Sequence, residues 1–216
     1  MEHLLALEFA STIRHDGHGG VADDLTTPQE LSVWVAERCG PTGVDGFAAD
    51  RAALDEVLAL RAAVRALFAR AVRPGPPSPA DAHRLLPDAE ALSRINRAAA
   101  RHPVADLLDW PAGGDPSTHP LSTDADPLVR LTATLARATV DFLTGPHREQ
   151  LRACTAPRCV RYFVKGHGRQ EYCKPSCSNR ARVARHYERT RSAAGAVGAV
   201  GADWNDEQVA TDPTRS

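Results

Sequence analysis

The stretch CTAPRCVRYFVKGHGRQEYCKPSCSNRARVARHYERTR, Cys154 to Arg191, holds four of the chain's five cysteines and ends in a segment crowded with arginine. The thiols are spaced Cys154-x4-Cys159, then thirteen residues, then Cys173-x3-Cys177. Two close pairs separated by enough chain for a hairpin is metal-ligand spacing, and zinc takes four thiolate donors in a closed tetrahedron. One structural zinc per chain is therefore expected on Cys154, Cys159, Cys173 and Cys177. His167 in the intervening turn is the alternative donor. Between the pairs, VRYFVK has strand residues, GHG is a turn and QEY leads back, so a hairpin is expected there. The second pair sits at the entry of a following helix, whose amides and dipole favour thiolates. Knuckle, hairpin and helix together predict a treble-clef-like finger.

Working outward, the net charge of −1 conceals a partition. Residues 147–192 carry twelve Lys and Arg against three Asp and Glu, leaving fourteen against twenty-four for the rest of the chain's 26 and 27. An acidic body with a basic end points to a polyanion as partner of the basic part. If the last helix starts near Asn179, Arg182, Arg185 and Arg189 share one face, while Val183, Tyr187 and Thr190 lie on another and are expected to pack. Arg180, Arg161 and Lys174 add charge around that face. Guanidinium groups fit phosphates and guanine edges bidentately, which makes double-stranded DNA the expected partner, with a protein-docking surface as the alternative.

The upstream part reads as helical. TPQE places Thr27 as N-cap, Pro28 at the first helical position and Glu30 as the reciprocal cap, starting a helix to about Arg38 with Leu31, Val33, Trp34 and Val35 turned to the core. RHDGHGGVADD before it is expected to be loop. A long helix spans about Asp50 to Val72 with Leu54, Val57, Leu58, Val64 and Phe68 as its apolar stripe. Arg61 falls inside that stripe, and a buried guanidinium needs an anion. The expected partner is Glu8; a small acidic effector is the alternative, with Asn96 and Ser11 or Thr12 completing a polar cluster. Beyond the linker PGPPSP, a short helix and a longer one break at Pro87. Residues 103–126 suit a small β-hairpin excursion. ADPLVRLTATLARATVDFLTG is helical again and stops at Gly145-Pro146.

The expected class is mainly α with a small β content (α+β), organised as 1–145, a basic finger 146–192 and a flexible tail 193–216. No run reaches the eighteen or more apolar residues of a membrane span, so a cytoplasmic protein is expected, with Cys39 a small buried hydrophobe. No G-x-S-x-G, H-E-x-x-H or phosphate-loop motif is present and a closed four-cysteine zinc has no open position, so no enzyme is expected. A homodimer is compatible with exposed helices, although no heptad seam marks one.

The segment Leu151 to Arg191 resembles the CGNR zinc fingers, named for the residues at the last ligand, through LRACTAPRC, YFVK, YCKPSC, CSNR and NRARVARHYERTR. Ser178 stands where the family has glycine, Tyr172 where tryptophan is common and Lys165 where an acid is common. The first half resembles the ABATE domain through LALEFAST, DLTTPQELSVWV, LRAAVRALF and INRAAA. The resemblance implies a stress-responsive transcription regulator whose finger binds DNA.

Overall fold

Twenty-one residues rich in Ala, Leu and Arg form the central helix α3, Arg51–Ala71, capped by the Asp50 carboxylate on the amide of Ala53. These residue types lose little freedom in a helix, and the absence of Gly or Pro lets the stretch run unbroken. The structure is a computed structural model that describes residues 4–16, 20–39, 46–81, 83–121 and 126–200. The backbone divides into two units, one running through Cys173 and the other beginning at Lys174.

In the first unit, α1 (Leu5–Ala10), α2 (Pro28–Cys39), α4 (Asp88–Ala100) and α5 (Pro127–Thr144) surround α3. Leu54, Val57, Val64 and Phe68 of the expected stripe are fully buried, against Phe9 of α1 and Phe142 of α5. Phe68 and Phe142 lie 5.0 Å apart, tilted, and Tyr162 meets the edge of Phe68 at 5.6 Å. Each such side chain contributes about 1.5–3 kcal/mol through burial. The cap of α2 forms as expected: the Glu30 amide donates to Thr27 Oγ1 at 3.2 Å and the Glu30 carboxylate accepts from the Thr27 amide at 2.9 Å. Val33 departs from expectation and is exposed, because α2 turns only Leu31, Val35 and Cys39 fully inward.

Among the described residues, three two-stranded antiparallel sheets decorate this helical body. The stretch expected as loop carries a short pairing of β1 (Ile13–His15) with β2 (Val21–Asp23) on either side of its glycines. The excursion forms β3 (Ala105–Asp109) and β4 (Ser117–Leu121), paired from Ala105–Leu121 to Asp109–Ser117. The short helix expected before Pro87 is instead a pair of turns, from Asp81 to the Ser78 carbonyl and from Arg84 to that of Asp81. After α5, which ends at Gly145 as expected, come α6 (His147–Gln150), β5 (Leu151–Ala153) and β6 (Tyr162–Val164). Leu151 and Tyr162 belong to the same buried cluster as the helices.

The second unit is α7, Pro175–Val200, whose backbone stays helical past Ser192 into the stretch expected as tail; residues 201–216 lie outside those described.

Candidate metal centre and nucleic-acid interface

The first two cysteines belong to the turn of a hairpin. β5 pairs with β6 in the register Leu151–Val164, Arg152–Phe163 and Ala153–Tyr162, and the Cys154 amide extends the ladder to the Arg161 carbonyl at 2.9 Å. This corrects the expected pairing of VRYFVK with QEY. Strand residues at VRYFVK find a partner upstream because Leu151 and Tyr162 are both drawn into the helical core, leaving Gln170 to Tyr172 outside any strand. Within the loop the Cys159 amide donates to the Ala156 carbonyl at 2.9 Å, and Arg158 takes a left-handed φ of 64°. Such a φ is uncommon for a side chain with a Cβ, and here it turns the backbone sharply enough to bring Cys159 back toward Cys154.

The ligand atoms of Cys154, Cys159, Cys173 and Cys177 all lie within 4.8 Å of one another. Cys159 and Cys173 are 3.7 Å apart, sulfur to sulfur. Thiolates about 2.3 Å from a tetrahedral zinc are separated by about 3.8 Å, so the donor set fits zinc in both number and spacing. Hydrogen bonding from Cys159 and Cys173 holds the Cys154 thiol well below its ordinary value, and Cys173 is pushed up by its bonds to Cys154 and Cys159. Sulfurs gathered this closely favour a thiolate, the form that ligates metal. Three of the four cysteines are fully or nearly fully buried. The chain carries one structural zinc, and these four thiols match the number of donors that would hold it in a closed site.

Cys177 falls in the first turn of α7, its amide on the Lys174 carbonyl at 3.0 Å. Three residues on, Arg180 Nη2 donates to Cys177 Sγ at 3.1 Å. Arg180, expected to add charge around the arginine face, lies against a ligand sulfur, where a guanidinium offsets the negative charge of the thiolates. Cys39 lies apart, buried at the end of α2, its thiol raised to about 12 by burial and then by Glu8.

Arg182, Arg185 and Arg189 line one surface groove of α7 together with Glu188 and Ser192. Their nitrogens reach Asn179 Oδ1, the Ala181 carbonyl and the Arg185 carbonyl, so none meets a carboxylate among the described residues. Val183 and Tyr187, expected to pack, are 50% and 67% exposed. The buried side of α7 is Cys177 and Ala181, spaced i and i+4, which a periodicity argument anchored on large apolar residues passes over. Lys174 is exposed just before α7, and Arg161 lies in the first unit, lining a cleft with Trp34 and Arg38.

Arg61 is 5% exposed and does have an internal anion, but a different one from that expected. Its Nη1 donates to Thr12 Oγ1 at 2.7 Å and to Asp23 Oδ1 at 2.6 Å, and its Nη2 to Asp23 Oδ2. Glu8 instead faces Arg38 at 3.4 Å on the surface, and Asn96 is exposed on α4. The reason is helical phase: Glu8 falls on the outer side of α1, whose buried residues are Leu5, Ala6, Phe9 and Ala10.

Sequence reasoning missed Arg65, one turn after Arg61 and 3% exposed. Its Nε and Nη2 hold Asp81 at 2.7 and 3.0 Å, Nη1 donates to the Ala10 carbonyl, and Nη2 also reaches Ser78 Oγ and the Val160 carbonyl. Tyr162 donates to Asp81 at 2.7 Å, and its ring lies 5.2 Å beneath the guanidinium. This node ties α1, α3 and the turn at Ser78 to the residue that follows Cys159. The repeat of arginine at i and i+4 within an apolar stripe was the available signal.

A helical body followed by a hairpin and a helix that share a closed four-thiol site defines a two-part zinc-finger protein. Residues 4–146 match the ABATE family, described as "Putative stress-induced transcription regulator", and residues 150–190 match the CGNR zinc finger. The chain belongs to the ABATE family, with a CGNR finger at its C-terminal side. No curated protein matches the chain. Among the described residues no helix is long and apolar enough to cross a membrane.

Proposed function

We propose that the chain is a transcription regulator that binds duplex DNA through α7, its zinc holding the finger in shape. The observation that carries this reading is the face of Arg182, Arg185 and Arg189, exposed together with no carboxylate partner among the described residues. Positive charge left uncancelled on one side of a helix attracts phosphates at long range, and guanidinium groups recognise base edges at short range. Four thiolates close the zinc to water and substrate, so the metal's task is structural. The family description is consistent with regulation. Arg61 is occupied by Asp23 and Thr12, so control by a small acidic effector would need another cation.

The test is duplex binding at two or more salt concentrations, using sequences recovered from genomic DNA bound by the protein. Each arginine on a phosphate adds about one unit to the slope of log K against log salt, so its alanine variant loses about that much. An arginine on a base edge instead costs about 1–3 kcal/mol on the preferred site and little elsewhere. Unchanged affinity in Arg182→Ala, Arg185→Ala, Arg189→Ala and the triple variant defeats the DNA reading in favour of protein docking.

A further inference from the structure

We propose that the cleft between the C-terminal end of α3 and the α6–β5 corner is a binding site for small amphipathic organic anions, such as medium-chain or aryl carboxylates. The cavity has a volume of about 750 Å³, within the range of small-molecule sites. Its apolar floor is made by Leu67 and Val72 at the end of α3, Leu92 of α4 and Leu143 of α5. Around that floor stand Arg70, Arg73, Arg148 and Arg152.

The charge of this ring is only partly met. Arg70 and Arg73 share one carboxylate, that of Asp88, at 3.7 and 3.0 Å. Arg152 donates from Nη1 alone to the carbonyls of Glu149 and Leu151, at 2.8 and 2.7 Å, and meets no carboxylate among the described residues, so its charge is uncancelled. The guanidinium of Arg148 has no hydrogen-bond or ion-pair partner among the described residues. Counting Glu149 on the rim, four guanidinium groups face two carboxylates. Leu92, 41% exposed, explains the second half of the ligand. Apolar surface held open to water inside a ring of cations is recovered by an acyl chain or aromatic ring, at about 25 cal/mol per Å². A nucleic-acid backbone offers the anion without the apolar body. The cleft at Glu8, Trp34 and Arg161 has the opposite balance, with four carboxylates against two arginines.

The walls come from both matched segments of the chain: α3, α4 and α5 from the first, and Arg152 of β5, two residues before Cys154, from the second. A ligand here would touch the helical body and the first strand of the finger together. The site gives effector control a location, and its existence does not depend on whether α7 binds DNA.

Calorimetry on the zinc-loaded full chain tests it with octanoate, and with octanol, octylammonium and acetate as controls. Octanoate is expected to bind, with each control at least tenfold weaker. The Arg148→Ala/Arg152→Ala double variant is expected to lose tenfold or more in octanoate affinity, with an unchanged unfolding midpoint when no ligand is present. Leu92→Glu, an exposed position that tolerates charge, is expected to abolish binding. Equal affinity for octanol and octanoate, absence of octanoate binding at millimolar concentration, or undiminished binding in the double variant overturns the proposal. Weakened duplex binding in the double variant, without octanoate binding by the wild type, reassigns the arginines to a phosphate backbone and overturns it too.

Discussion

Arg65 shows what a single side chain contributes when each of its three guanidinium nitrogens has a partner. Its guanidinium joins a carboxylate, two backbone carbonyls and a hydroxyl inside the protein, and its plane lies over Tyr162. Removing it leaves Asp81, itself buried, without its cation. Arg65→Ala is expected to cost about 3–5 kcal/mol in urea denaturation, because an uncompensated buried charge is worse than no pair at all. Arg65→Met/Asp81→Leu should recover part of that loss by removing both charges. The same reasoning applied to sequence identified Arg61 as a buried cation in need of an anion. It named Glu8, where folding supplies Asp23, since a partner's identity depends on which elements meet and not on how near it lies in the chain.

Elements whose rules are local behaved as their residues dictate. Thr26 and Thr27 hold the Glu30 carboxylate below its ordinary 4.5 through their hydroxyl and amide groups. A carboxylate so lowered contributes fully above its ordinary range and loses that contribution as pH falls through its lowered value. Thr27→Ala removes the hydroxyl that accepts the Glu30 amide and is expected to cost about 1 kcal/mol, measured by thermal unfolding at pH 7. The expected start of a helix near Asp50 and the expected stop at Gly145 both hold, with the Asp50 carboxylate serving as the cap of α3. The strand pairing expected in the finger does not. Residues 162–164 have strand character whichever neighbour they choose, and the choice of β5 over QEY follows from burying Leu151 and Tyr162 in the helical core, Tyr162 against Phe68. Likewise α7 shows helical spacing from any starting phase, and its buried side is set by small residues next to a metal ligand, which carry little periodic signal.

For the whole molecule, this placement changes what metal removal should do. Taken by itself, a module the size of residues 147–192 has little core and would fold with zinc and unfold without it. With Leu151 and Tyr162 inside the helical core and Tyr162 bonded to Asp81, β5 and β6 have support that owes nothing to zinc. Chelation is expected to expose amides of the Cys154–Arg161 loop and of the first turns of α7 to hydrogen exchange, while those of β5, β6 and α3 remain protected. Loss of protection throughout residues 147–192, with α3 unaffected, would restore the simpler picture. The ligand set, the caps, the central helix and the separation of an acidic body from a basic end are all contained in the sequence, because each rests on residues close in the chain or on composition. The anions of Arg61 and Arg65, the strand that β6 joins and the arginine-ringed cleft come into being only when distant segments pack, since charge pairing and burial act across space and carry no mark of sequence separation.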